Sequence, residues 1–149
     1  SRRSLIMATG NTICLSPSGQ YLRREAKADA AGILPGNLLV ETATGVAVNG
    51  TADDVPVRAL FADLSVGDAG DITRAYTLGE TVNYVSASKG SYITAILADG
   101  QAIAKGAELA SAGDGSVKAP AAAGVGVIGY ATEAVTTSGG VAFIEIEIL

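Results

Sequence analysis

A chain does chemistry with nucleophiles, proton-transfer groups or metal ligands held at workable spacing, and this one carries few of them. Its 149 residues include no histidine, which removes imidazole acid–base catalysis, a histidine-based triad and histidine metal ligation. Cys14 is the single cysteine, so neither an internal disulfide nor a multi-cysteine zinc site can form. Without a base partner its thiol reads as a small buried hydrophobe in a reducing cell. Serine, threonine and lysine are plentiful, but no GxSxG elbow or SxxK pair accompanies them. Asp68 and Asp71, with Asp63 nearby, suggest calcium only until the ligand spacing of an EF-hand loop is sought and not found. They read as solvated loop acids. Asp53-Asp54 reads as a turn after Asn49-Gly50, and Asn49-Gly50-Thr51, formally a glycosylation sequon, reads the same way.

Gly124, Gly126 and Gly129 match GxGxxG. The phosphate-binding version must join a strand to a helix, and no long apolar helical stripe follows here. These glycines read as places of close strand packing or bulges. Lys105, at the end of Gly100-Gln101-Ala102-Ile103-Ala104-Lys105-Gly106, resembles the modifiable lysine of biotin- and lipoate-carrier hairpins, but it precedes a structural glycine instead of marking a tip. Tyr76, Tyr84, Tyr92 and Tyr130 are scattered and read as core-edge or interface aromatics. The expectation is a protein with no catalytic residue, no cofactor and no metal: not an enzyme.

The elements around these residues are those of a scaffold. The length suits roughly one domain, burying about 70% of the unfolded surface. Hydrophobic residues make up 48% of the chain, but aromatics only 5% with no tryptophan, so Val, Ile and Leu must form the core. Charge is unevenly placed within a net −5: residues 1–27 hold five bases against one acid, and residues 28–149 hold five bases against fourteen acids. A basic arm on an acidic body suggests an interaction tail. The acidic body opposes nucleic acid and no aromatic platform accompanies the arm, so an acidic protein surface is the better target. No stretch approaches the ~20 apolar residues of a membrane span. Leu5-Ile6-Met7-Ala8 is too short for a signal-peptide core, and we expect a chain that lost only an initiator Met before Ser1.

Residues 1–20 read as an extended arm, and residues 21–30 as a charged connector or short helical turn. Thereafter one pattern occurs twice. Gly36 is followed by Leu39 and Gly45, and Gly106 by Leu109 and Gly115. Phe61-Ala62-Asp63 closes the first copy, and Tyr130-Ala131-Thr132-Glu133 the second, one residue out of step. This predicts one β-rich unit used twice, near residues 34–88 and 104–149, within a single domain spanning 28–149. Short strands are expected at 38–41, 45–48, 55–64, 81–86, 101–105, 108–111, 116–118 and 125–133. Residues 141–149 should form the clearest strand, with Phe143 and Ile144, Ile146 and Ile148 interleaved with Glu145 and Glu147, one face buried and one acidic and wet. Ile93, Ile96 and Leu97 at helical spacing, with Ser91 as cap, predict a helix over 91–98, and Asp71 would cap a helical turn running to Tyr76. The fold class expected is mainly β: a small β-barrel or β-tulip-like domain with one or two short helices and an extended N-terminal arm.

One set of residues carries a family resemblance. It comprises Ala31-Gly32-Ile33-Leu34-Pro35-Gly36, Ala75-Tyr76-Thr77-Leu78-Gly79-Glu80-Thr81-Val82, Leu97-Ala98-Asp99-Gly100-Gln101, and Lys105-Gly106-Ala107-Glu108-Leu109 through Gly115. Gly129-Tyr130-Ala131 and the Ile148-Leu149 ending complete it. Together they resemble the head decoration (cement) proteins of tailed bacteriophages, over most of residues 32–149. The resemblance implies a trimer on the outer capsid surface that bridges neighbouring major capsid protein subunits after shell expansion, without catalytic residues. It implies a virion protein made in the bacterial host cytoplasm, with no nucleic-acid or membrane partner. The capsid-reaching role of such an arm would fall here to Arg2, Arg3, Leu5, Ile6, Met7, Tyr21, Arg23 and Arg24. The arginines would pair with acidic shell groups, and each apolar anchor would contribute about 1.5–3 kcal/mol if fully buried. The other reading is a head- or tail-fibre adhesin module that binds a host surface ligand, against which the low aromatic content speaks.

Overall fold

A computed structural model of the chain describes residues 13–16, 21–54, 58–64 and 72–149. Arg2, Arg3, Leu5, Ile6 and Met7 lie outside the described residues, as do Asp68 and Asp71. The architecture is all β. The first half contributes β1 (Tyr21–Lys27), β2 (Leu38–Glu41), β3 (Val46–Val48), β4 (Ala59–Ala62) and β5 (Thr81–Ala87). The second contributes β6 (Tyr92–Leu97), β7 (Ala102–Ile103), β8 (Glu108–Ser111), β9 (Val117–Lys118), β10 (Val127–Ala131), β11 (Val135–Thr136) and β12 (Ala142–Ile148).

Both halves run the same topology. The first sheet has the order β1-β5-β4-β2-β3, and the closed barrel, read from β6, has the order β6-β12-β10-β8-β9. The seam of each is joined by a parallel contact, Ala28 with Val46 in the first and Leu97 with Val117 in the second. The opening glycines, Gly36 and Gly106, sit at matched places, whereas Gly45 and Gly115 fall one residue out of register: Val46, directly after Gly45, faces Glu41, and Val117, two residues after Gly115, faces Ser111. Gly36 N–H donates to the Ala62 carbonyl at 2.8 Å, and Gly106 N–H to the Ala131 carbonyl at 2.7 Å. Ala62 N–H returns to the Asn37 carbonyl at 3.0 Å and Ala131 N–H to the Ala107 carbonyl at 2.9 Å. Gly36 and Gly106 have φ of 93° and 87°, a left-handed turn that glycine adopts without steric cost. A small β7–β11 ladder belongs to the second half, and a single Ile33–Tyr76 bridge occupies the corresponding place in the first.

Alternation along the strands divides the core. Leu60, Ala62, Val82 and Tyr84 enter a cluster with Ala28, Ile33, Leu39, Val46 and Tyr76. Leu38, Phe61, Val85 and Ala87 face the other way and join the larger cluster built on Ile93, Ala95, Leu97, Ile144, Ile146 and Ile148. The first sheet is therefore buried on both faces, which fixes the two halves against each other.

Two expectations are corrected. Residues 91–98 hold strand β6, not a helix. Its residues after Tyr92 are buried on both faces, because the outward side meets the first half near Gly36. A strand buried on both sides loses its period-two signal and can mimic helical spacing. Residues 21–27 form β1, paired along its whole length with β5, where a connector or helical turn was expected. Among the described residues no helix forms, and Tyr76 is a bridge residue.

Candidate interaction surface

The sequence-predicted site residues that the structure describes lie on β1. Tyr21 is buried against its own chain. Its hydroxyl donates to the Tyr92 carbonyl at 2.5 Å and accepts from Ser16 N–H at 2.6 Å. Ser16 Oγ in turn accepts the Tyr92 N–H at 2.7 Å. Tyr21 thus fastens residues 13–16 to β6. Cys14 bridges Ile93 in antiparallel fashion, and Ile13 is only 1% exposed. This inner stretch of the expected arm is built into the body.

Arg23 is 57% exposed and pairs with Asp63 at 2.8 Å. Arg24 lies on the face of Ala26 and Ala28 and reaches Glu41 at 3.3 Å. Arg58 takes the other Glu41 oxygen at 3.2 Å, and the Tyr84 hydroxyl donates to Glu41 at 2.7 Å. Burial, and then the Glu41 carboxylate, push the Tyr84 phenol above its ordinary pKa. The Arg24 Nε is buried with no hydrogen-bond partner. Beside these groups a cleft of about 380 Å³ is lined by Arg23, Arg24, Glu25, Asp63, Asn83 and Tyr84. These pairs are part-exposed, so each contributes little to stability and remains exchangeable for a partner's groups.

Asp63 also stands near Cys14, whose thiol is 4.0 Å from its carboxylate. Burial first, then Asp63, push that thiol up to about 12, so it stays protonated and a poor nucleophile.

A second groove, of about 460 Å³, lies on the outside of the barrel. The strand register sets it: Glu147 is opposite Tyr130 on β10 and opposite Tyr92 on β6. Lys105, Thr132 and Glu145 also line it. Glu145, expected on a wet face, is buried at 2% exposure. Its carboxylate accepts from Thr132 Oγ1 at 2.5 Å, and its N–H donates to Glu133 at 3.0 Å. The expected solvated turn at Asp53 is likewise a contact between halves: Asp53 accepts from Lys118 Nζ at 3.0 Å and from Ala121 N–H at 3.1 Å. Lys118 first and Ala121 next hold the Asp53 carboxyl below its ordinary range. Sequence reasoning missed both acids because nothing local marks them; their partners are distant in the chain.

The glycines of the GxGxxG stretch serve backbone packing. Gly126 lies against the Asp53 carbonyl, and the ladder between β10 and β8 has its irregularity between Val127 and Gly129. Among the described residues no group of three or more potential metal ligands converges.

No family model matches the chain, and no curated protein matches it in sequence. Among solved structures, the fold is similar to the N-terminal base of the head fibre gp8.5 of bacteriophage phi29, with a TM-score of 0.59 at 14% identity, covering 87% of this chain and 94% of that one.

Proposed function

We propose that this chain is a structural protein of a tailed-phage head: a decoration subunit that binds the outer capsid surface and stabilises the shell by bridging neighbouring major capsid protein subunits. The observation that carries the reading is the fold shared over 87% of the chain with a phage head-fibre base. The sequence resemblance to decoration proteins points the same way. In this reading the chain self-associates as a homotrimer, acts without catalysis, cofactor, nucleic acid or membrane, and is made in the host cytoplasm before it joins the virion. Its contact groups are the residues before Ile13 together with Arg23 and Arg24 on β1. Binding the intact lattice and not the ruptured one stabilises the shell by mass action, and several linked contacts raise the effective concentration of each.

A second reading, an adhesin module for a host surface ligand, is favoured by the groove between Tyr92 and Tyr130, which combines two rings with Glu147.

Co-sedimentation with expanded, undecorated shells separates the two. The variant to compare with the full chain begins at Ile13, because residues 13–16 and β1 belong to the body. Saturable binding that is lost in the variant supports cementing through the segment before Ile13. Binding kept by the variant places the contact on the body, with Arg23→Ala and Arg24→Ala as the next test. No binding to the cognate shell sinks the decoration reading and leaves the groove, tested by Tyr130→Ala.

A further inference from the structure

The internal repeat makes a comparison that neither half permits alone. Ala98 N–H donates across the barrel seam to Val117 at 2.8 Å, and Asp29 N–H donates across the first seam to Val46 at 2.9 Å. These two residues are therefore equivalent, and Tyr92 and Thr94 on β6 correspond to Arg23 and Glu25 on β1. In the barrel the seam above this closure is filled by the chain itself. Thr94 N–H donates to the Ile13 carbonyl at 2.8 Å and Leu15 N–H donates to the Tyr92 carbonyl at 3.1 Å.

The first seam has no such filling among the described residues. Ala28 N–H points to the β5 side, where it meets the Glu80 carbonyl, and Asp29 N–H points to the β3 side. Directions alternate along an extended strand, so the N–H and C=O groups of Arg23 and Glu25 point away from β5. Nothing described pairs with them. An open edge of this kind is a template for another strand. The groups around it suit one. Leu22 is 56% exposed at the edge, and the buried Arg24 Nε has no acceptor. Arg24 stands where the barrel has Ile93, the residue opposite Cys14 in the filled seam.

We propose that this seam receives an extended N-terminal segment from a second copy of the chain, pairing antiparallel with residues 23–25 as Ile13-Cys14-Leu15 pairs with β6. Leu5-Ile6-Met7 repeats the apolar character of Ile13-Cys14-Leu15 eight residues upstream. In that register Ile6 falls on the face of Leu22 and Arg24, a carbonyl of the segment accepts from Arg24 Nε, and Arg3 follows the paired stretch on the side of Glu25. The twelve residues before Ile13 can span about 40 Å when extended, enough to cross to a neighbour. This is strand addition between copies: it gives residues 5–7 and Arg24 to a neighbouring copy in place of the shell, and it does not require that the chain bind a capsid.

The test is the oligomeric state of the full chain by analytical ultracentrifugation over a wide concentration range. Glu25→Pro removes one seam donor and leaves the hydrogen bonds to β5 untouched, since that N–H points outward. It should sediment as the 14.8 kDa monomer, and the variant beginning at Ile13 as a monomer lighter by its twelve missing residues. An equimolar mixture of the two variants should regain a 1:1 complex, because one keeps the donor segment and the other keeps the seam. Circular dichroism checks folding, and Arg23→Pro replaces Glu25→Pro if the latter unfolds. A full chain that is monomeric at every concentration overturns the proposal. So does a folded proline variant that still self-associates, or a mixture that stays monomeric. Shell binding by a monomer would leave the decoration reading standing while this one fails.

Discussion

Replacing Tyr21 with phenylalanine isolates the hydroxyl that fastens residues 13–16 to β6. The ring is kept, so packing is unchanged, and two hydrogen bonds disappear: one to the Tyr92 carbonyl at 2.5 Å and one from Ser16 N–H at 2.6 Å. A part-buried bond contributes about 0.5–1.5 kcal/mol net, and an orphaned buried group costs about 1–3 kcal/mol. The expected loss is about 2 kcal/mol. For a chain of this size each kcal/mol lowers Tm by about 2–4 °C, so Tm should fall by roughly 4–8 °C. The same free energy is about a 30-fold change in an opening equilibrium. Amide exchange of Thr94, whose N–H bonds to the Ile13 carbonyl, should therefore quicken by about that factor. An unchanged Tm would mean that the segment detaches without global unfolding, and Thr94 exchange would then be the only reporter. If both Tm and Thr94 protection stay at wild-type values, the view that Tyr21 ties this segment down is refuted.

Four further outcomes are expected. Gly129→Ala places a Cβ 2.4 Å from the Glu147 carbonyl oxygen, so β10 and β12 must separate; about 1–3 kcal/mol or more should be lost, measurable by urea unfolding. Phe61→Ala empties a fully buried position in the core shared by both halves and should cost about 3–5 kcal/mol in the same experiment, with one transition lost as a whole. Cys14 should resist iodoacetamide at pH 8 until denaturant is added, because its thiol is pushed up to about 12. The sign for stability follows: the folded state holds that proton more tightly than the unfolded state, so the contribution is complete below the ordinary value of 9.0 and is lost as pH rises towards 12. Denaturation midpoints that rise between pH 9 and 11 in wild type relative to Cys14→Ser would contradict this.

Much of the strand pattern was legible in the residues alone. β2 and β8 occupy the predicted stretches 38–41 and 108–111, because glycine turns bracket short runs of Leu, Val and Ala and little else can form there. The matched steps Gly36–Leu39 and Gly106–Leu109 are local as well: a left-handed turn followed by a buried strand position needs those residue types wherever it occurs. The absence of histidine and the single cysteine excluded whole classes of chemistry without any coordinates.

Tertiary structure decided what depends on partners far along the chain. β6 is a strand because the first half covers its outer side, a fact no window of 91–98 contains. Residues 21–27 became a sheet strand because β5, some sixty residues later, supplies their hydrogen bonds; alone, Arg, Glu, Lys and Ala favour no sheet. Glu145 is buried because Thr132 and Glu133 satisfy its polar groups, and Asp53 joins the halves because Lys118 folds back to it. The seam at Arg23 and Glu25 is visible only once the strands of both halves are paired, since backbone direction at an edge is set by which neighbour takes the alternate hydrogen bonds. Composition and spacing determine which strands can form; long-range pairing determines which faces, edges and charges remain for a partner.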